Sequence, residues 1–289
     1  MTFADLGLKP PLLRSLADMG FSVPTPVQAA AIPPALRGQD ILGSAVTGSG
    51  KSAAFGLPLL QLLAEKPRGT TRGLILAPTR ELAAQTTAHL AALAKHLPIR
   101  IAAVYGGVGF GPQRAAFRTG VDIIVATPGR LLDHLGQGAN LKGISFFVVD
   151  EADRMLDMGF LPALKKIIKM LPVQRQTMFF SATLPPQIVQ LTAGMLKDPV
   201  RVSLQPKAAP AEGITQVVYT VDQQRKALLL VELLRNNTIY NAIAFTRTKA
   251  RANRLAALLG KHKIASERIH GDLSQGKRTR VLSEFKRGK

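Results

Sequence analysis

Ala45-Val46-Thr47-Gly48-Ser49-Gly50-Lys51-Ser52 is the stretch on which the fold turns. It follows a short apolar run, Ile41-Leu42-Gly43-Ser44, and leads into Ser52 to Leu63, whose spacing predicts a helix. Glycines at a strand-to-helix turn let backbone N–H groups close around phosphate, and the helix N-terminus adds partial positive charge. Lys51 can then reach the β- and γ-phosphates of a nucleotide, and the Ser52 hydroxyl can ligate Mg²⁺. The general pattern has glycine where this chain has Ala45, and the competing reading is a glycine-rich turn with an incidental lysine. Strand before, helix after and Gly-Lys-Ser in order outweigh that reading.

Outward from this turn, apolar runs alternate with helical patterns. Residues 73–77 precede Pro78 and a helix through Leu93, residues 99–105 precede Gly106-Gly107, and residues 122–126 precede Thr127-Pro128-Gly129 and a helix. Residues 144–149 end at Asp150, and 177–180 end at Ser181. Short continuous runs fit strands covered on both faces, and their alternation with helices predicts an α/β fold with a parallel sheet. Ligands of such sheets sit at the C-terminal strand ends. Asp150 is therefore placed to hold Mg²⁺ through water, and Glu151 to orient or deprotonate an attacking water. An acidic pair ending a strand is ordinarily a solvated turn or a helix cap. Together with the phosphate loop it becomes half of a Mg²⁺-ATP site.

The length of 289 residues predicts about two domains. Residues 1–205 form the first; 206–213, with Pro206 and Pro210 and no apolar periodicity, read as a linker; 214–289 restart the pattern. In that last segment strands are expected at 214–221, 242–245 and 264–269, with helices between, too few to cover a parallel sheet, so this domain reads as cut short.

The net charge is +20. Residues 206–289 carry 17 Lys and Arg against 6 Asp and Glu, and residues 1–205 carry 21 against 12. This favours a polyanionic partner over mere solubility, with nucleic acid first. A hydrophobic share of 46% excludes a disordered chain, and no apolar run is long enough to span a bilayer. Met1-Thr2-Phe3-Ala4-Asp5 shows no secretory signal, and the absence of cysteine fits a reducing, cytoplasmic setting. Five histidines without ligand spacing argue against zinc, and His270 reads as a strand-end residue. Phe3, Met155, Met158 and Met170 read as packing residues.

With these residues in hand the chain resembles the DEAD-box helicases over essentially its whole length, in particular the bacterial RNA helicase E type. Gly20-Phe21-Ser22-Val23-Pro24-Thr25-Pro26-Val27-Gln28 is similar to the family's Q motif. The family's phosphate loop begins with alanine, which accounts for Ala45. Pro78-Thr79-Arg80, Gly106-Gly107 and Thr127-Pro128-Gly129-Arg130 resemble RNA-contact motifs, as do Arg247 and the set Gly271, Asp272, Gln275 and Arg278. Asp150-Glu151-Ala152-Asp153 gives the family its name, and Ser181-Ala182-Thr183 resembles the motif that couples the nucleotide and RNA sites.

The resemblance implies two RecA-like domains, the second incomplete here. It also implies ATP and Mg²⁺ as cofactors and RNA as partner, held by its backbone without sequence reading. Ribosome-assembly and RNA-decay complexes are family possibilities. Gln28 would pair with adenine in bidentate fashion, with Phe21 stacked on the ring and Thr25 adding a hydroxyl. Taken singly, Thr79 and Thr127 read as helix caps and the arginines as exposed charge.

The family's arginine fingers lie in a His-Arg-x-Gly-Arg-x-Gly-Arg motif, which these 289 residues do not contain. Nucleotide binding with slow turnover and no unwinding is therefore expected. An ATP-gated RNA clamp or annealing module is the alternative, and a DNA helicase or transport ATPase on the same fold is a more distant one.

Overall fold

The six continuous apolar runs form strands β1 to β6: Ile41–Ser44, Gly73–Leu76, Ile101–Val104, Ile123–Ala126, Phe146–Val149 and Gln176–Ser181. A seventh, β7, spans Val200–Ser203 and completes one sheet in the order β3-β4-β2-β5-β6-β1-β7. Every pairing is parallel. The computed structural model describes residues 1–46, 48–203, 214–236, 239 and 241–288, and the chain divides into two compact units, Met1–Ala208 and Ala209–Lys289. The sheet belongs to the first. Thr47 and the expected linker at 206–213 lie outside the described residues.

Side chains alternate across a strand, and here both alternating sets are apolar because both faces are covered. On one face Ile75, Val125, Val148 and Phe180 pack with residues such as Leu12, Val27, Phe55 and Leu90. These last come from α1 (Pro10–Asp18), α2 (Pro26–Leu36), α3 (Lys51–Ala64) and α4 (Arg80–Leu93). On the other face Leu74, Ile124, Phe147 and Phe179 meet Leu131, Met155, Ile167 and Ile188. Those come from α6 (Pro128–Leu135), α7 (Ala152–Asp157), α8 (Leu161–Met170) and α9 (Pro186–Ala193). The remaining helix, α5 (Phe110–Arg118), follows β3. Phe3 is buried in the first of these cores. Met155 is a core residue, but Met158 and Met170 are 48% and 51% exposed at helix ends, so the packing role expected for those two is not observed.

The second unit corrects a further expectation. Its described residues contain α10 (Lys226–Asn236), α11 (Lys249–Lys261) and α12 (Gln275–Lys286) and no strand. Residues 214–220 and 241–250 are exposed or nearly so, with Val218 at 92% and Phe245 at 94%. An apolar extended run becomes a strand only with a hydrogen-bonded neighbour and covered faces, and these runs have neither. Among the described residues no helix is long and apolar enough to cross a membrane.

One buried carboxylate fastens the N-terminal strand ends. Asp122 accepts from the Arg100 N–H (2.8 Å) and from the Arg72 guanidinium, while its carbonyl accepts from the N–H groups of Arg72 and Gly73. Burial pushes the Asp122 carboxyl up, but the Arg100 amide and the charges of Arg72 and Arg68 outweigh it and hold it below its ordinary value. A depressed carboxyl stabilises the fold above its unfolded pKa and loses that contribution as pH falls through the folded one. Asp122→Asn should therefore cost about 3–5 kcal/mol in urea unfolding at neutral pH, because buried Arg72 is left uncompensated. The gap to the parent should narrow below pH 3.8.

Candidate functional site

Parallel strands present all their C-terminal ends on one rim, and the order β5-β6-β1 puts the acidic pair two strands from the phosphate loop with β6 between them. Ser181, ending β6, bridges that gap. Its carbonyl accepts from the Ala45 N–H (3.1 Å), and its hydroxyl oxygen accepts from the Asp153 N–H (3.1 Å). Thr183 then donates to the Asp153 carboxylate from both its N–H and its hydroxyl, each at 2.9 Å. Burial works to raise Asp153, yet the two bonds from Thr183, with help from the Ser181 side chain, hold it below its usual value.

The phosphate loop turns through two left-handed glycines, Gly48 (φ 85°) and Gly50 (φ 94°), the latter capping α3. The Ser49 hydroxyl donates to Val46 O (2.8 Å). Lys51 is buried, and its Nζ donates to Ala45 O (2.9 Å), so the ammonium lies inside the curl of the loop. Ser52 is the second residue of α3.

Thr25 caps α2, and its N–H donates to Gln28 Oε1 (2.9 Å) while Gln28 Nε2 donates to Gly50 O (3.1 Å). The expected adenine reader is thus joined to the phosphate loop. A primary amide has two donors and two lone pairs, so one of each remains for a base. A Cβ on Gly50 would come within 2.5 Å of Gln28 Nε2 and 2.9 Å of Thr25 Oγ1. Phe21 is exposed nearby in sequence, with its ring centroid 6.3 Å from that of His89.

Asp150 follows β5 and is 3% exposed. Its Oδ1 has no hydrogen-bond partner among the described residues. Burial pushes its carboxyl up to about 6, and the Lys51 charge pulls the other way. An orphaned buried carboxylate oxygen, a buried lysine and a loop of left-handed glycines suit a hydrated dication with a polyphosphate. Glu151 is a non-glycine residue at φ 52° that caps α7, and Arg154 Nη1 donates to its Oε2 (3.3 Å).

Across β5, the loops after β2, β4 and β3 continue the rim. Thr79 caps α4, its hydroxyl accepting from the Leu82 N–H (3.2 Å), so the plain capping role is realised there. Thr127 caps α6 through its carbonyl alone, with Pro128 and Gly129 in the first turn. Pro78 is buried, and the Arg80 guanidinium lies against Gly106, where a Cβ would be 3.1 Å from Nη2. Gly107 is left-handed at φ 83°. Arg130 Nη1 donates to Val108 O (3.2 Å), its Nε lies 3.5 Å from Asp133 Oδ2, and its guanidinium sits over the Phe110 ring.

Sequence reasoning missed the brace that holds two of these loops together. Gln113 Nε2 donates to Tyr105 O and Gly109 O, and its Oε1 faces His134 Nε2 at 3.2 Å. With the Gln113 amide nitrogen committed as donor, His134 Nε2 must carry the proton. Burial lowers the His134 pKa, in keeping with a neutral ring. Both residues sit on helices without a motif, so only their burial, 5% and 2% exposed, gives them away.

The remaining expected contacts lie in the second unit. Arg247 is exposed, Lys249 Nζ pairs with Asp272 beside Gly271, and Arg278 Nη1 donates to Gln275 Oε1 (3.4 Å) at the start of α12. The Lys249 bond holds the Asp272 carboxyl below its usual value. His270 Nε2 bonds Asn253 Oδ1 (3.0 Å), a local contact, but with no strand among the described residues of this unit it is not the strand-end residue expected.

Family models match the chain twice: DEAD/DEAH box helicase over residues 25–191 and helicase conserved C-terminal domain over 225–289. The DEAD-box ATP-dependent RNA helicase CshA of Bacillus cereus is 41% identical over 288 residues, covering 99% of this chain and 55% of the relative. The ATP-dependent RNA helicase DeaD of Escherichia coli is 42% identical over 290 residues, covering 100% and 46%. The chain thus spans about half the length of these relatives. The crystal structure of a DEAD box protein from the hyperthermophile Methanococcus jannaschii matches with a TM-score of 0.67 and 35% identity, over 99% of this chain and 77% of that one.

Two outcomes follow from the geometry. Asp150 is held above its unfolded pKa, so its protonated form favours folding and that contribution fades as pH rises through about 6. In metal-free buffer Asp150→Asn should raise stability at pH 8 by about 1–3 kcal/mol and flatten the pH dependence of unfolding. Gly50→Ala should weaken nucleotide binding at least tenfold, measured by titration calorimetry, since its Cβ displaces Gln28 and forces a strained φ.

Proposed function

Because the chain belongs to the DEAD/DEAH box helicase family, we propose that it binds ATP with Mg²⁺ on the rim of its first unit and couples that binding to RNA. The single observation that carries this reading is Asp150: a buried carboxylate with an unpartnered oxygen, on which the Lys51 charge acts. Asp150 would hold the hydrated cation, with the Ser52 hydroxyl as its second protein contact. When bound, magnesium would neutralise charge developing on the phosphates. Lys51 would leave Ala45 O for phosphate oxygens, and the N–H groups of residues 48–52 would complete the cradle. Glu151 would orient the attacking water and accept its proton. Gln28 would read the adenine edge while still touching Gly50 O.

RNA would lie across the loops at Pro78–Arg80, Gly106–Gly107 and Thr127–Arg130, meeting Arg80, Arg130 and backbone N–H groups at its phosphates. The second-unit residues Arg247, Gly271, Asp272, Gln275 and Arg278 would add contacts of the same kind. Asp153, Ser181 and Thr183 would pass the state of the nucleotide loop to this rim. Only a difference in RNA affinity between nucleotide states can drive strand separation. The domain assignment we propose is a RecA-like first domain over 1–205, a linker at 206–213 and a second helicase domain from 214.

The absence of the arginine-finger motif from these 289 residues favours a second reading for the chain itself, an ATP-gated RNA clamp with little turnover. An arginine finger contributes about 10³–10⁵ in rate. The two readings separate in one experiment. Glu151→Gln should lower kcat by about 10²–10⁴ while leaving the nucleotide Kd within a few-fold, and RNA retention in ATP should persist. The unaltered chain should show weak RNA-stimulated hydrolysis. Robust stimulation would refute the clamp reading, and loss of ATP binding with Mg²⁺ present would sink both.

A further inference from the structure

An open cavity of about 510 Å³ lies between α5 and the segment from α6 to β5, away from the nucleotide loop and wholly within the first unit. Its floor is made by the loops that enter β2, β4 and β5. Glycine lets them converge: Gly120 is left-handed, and its Cβ would collide with Gly69 O, while a Cβ on Gly143 would be 2.8 Å from Thr71 O.

The walls carry Arg114, Arg118 and Lys142 and no carboxylate. Arg114 donates to the neutral Gln137 Oε1 (2.8 Å), and no ion pair neutralises Arg118 or Lys142 among the described residues. Arg114 and Arg118 stand four residues apart on one face of α5, where like charges repel and work against the helix. Arg118, in the last turn of α5, gains from the helix dipole, but neither that nor the repulsion explains why Arg114 and Lys142 face the same cavity. At the upper end, Phe110 stacks on His134 (centroids 3.7 Å apart) and lies under both Arg114 and Arg130. Arg130, Arg114 and Arg118 therefore form a file of cations running from the rim down α5. With its ring taken by His134 and two guanidiniums, Phe110 offers no slot for the base of a free nucleotide. The file suits a phosphodiester backbone, held without sequence reading.

We propose that this cavity is an accessory site for single-stranded RNA, which takes up nucleotides next to those held on the rim loops. The inference rests on the RNA reading above. From Phe110 to Arg118 the helix covers about 12 Å, which a stacked strand spans in about three or four nucleotides.

The test uses the 289-residue chain with Mg²⁺ and a non-hydrolysable ATP analogue. Binding is read by fluorescence anisotropy for a short oligouridylate that fills the rim and for versions lengthened by about four nucleotides at either end. Lengthening at one end should tighten binding roughly tenfold and steepen the salt dependence, about 0.7 in log–log slope for each added phosphate contact. The double variant Arg118→Ala, Lys142→Ala should lose both increments and bind the short oligonucleotide as before; Arg118→Lys should keep most of the gain. Short-RNA binding with no gain on lengthening, or a gain that survives the double variant, overturns the accessory site alone. Failure to bind even the short RNA overturns the RNA reading with it.

Discussion

The hydroxyl and carbonyl of Ser181 hold the functional rim in register. In a parallel sheet the loops at the strand ends are independent excursions unless something ties them together. Here the residue ending β6 has its carbonyl on the phosphate loop and its hydroxyl on the first turn after the acidic pair. Ser181 is fully buried and Asp153 half-buried, so water competes little with either bond. Thr183 closes the arrangement by fixing the Asp153 carboxylate. A displacement of the loop that shifts Ala45 must therefore move Ser181, and with it Asp153, or break one of these hydrogen bonds, and either is costly. On the proposed reading, the β6 terminus would be a physical route between nucleotide and rim.

The electrostatics of the site run against the stability of the empty chain. A carboxylate 3% exposed with an orphan oxygen is a penalty unless a cation arrives. Lys51 offsets part of that penalty, but its ammonium already bonds Ala45 O. The left-handed Glu151 adds backbone strain beside it. At the opposite end of the strands in the same sheet, before β4, Asp122 has the opposite design, with every carboxylate oxygen engaged by arginine or amide. The sheet is anchored where the chain enters it and left with an uncompensated carboxylate where the chain leaves it.

How much of this was legible in the sequence depends on whether a residue belongs to a local pattern. The six core strands, the phosphate loop and the acidic pair all announce themselves by contiguous residues, and the sheet follows from their alternation. β7 escaped because, as an edge strand, it buries only Val202 fully and its apolar residues alternate instead of running together. The apolar runs after residue 213 misled in the opposite sense: they have strand composition, but a strand also needs a paired neighbour, and the sequence cannot supply that information. Gln113 and His134 were invisible because a buried polar pair is a tertiary fact. Thr79 shows the converse case, where the modest reading as a helix cap is what the hydroxyl does.

If Gln28 reads the base as proposed, its hydrogen bonds make that recognition conditional on the loop at Gly50. Its amide is held between the Thr25 N–H and Gly50 O, so the orientation of its remaining donor and acceptor depends on where Gly50 sits. Gly50 in turn must be glycine twice over, once for its φ of 94° and once because Thr25 and Gln28 occupy the space of a Cβ. A nucleotide that drew the loop around its phosphates would therefore also set the angle at which the amide met the base. On the proposed reading, base identity and phosphate occupancy would be read by one connected unit instead of two separate pockets. The same unit reaches Ser181 through Ala45, so a base that fits poorly would be felt at Asp153. On the proposed reading, discrimination between nucleotides would then appear in the coupling to the RNA rim as well as in affinity, because the loop that carries Gly50 is already tied to β6 through the Ala45 N–H.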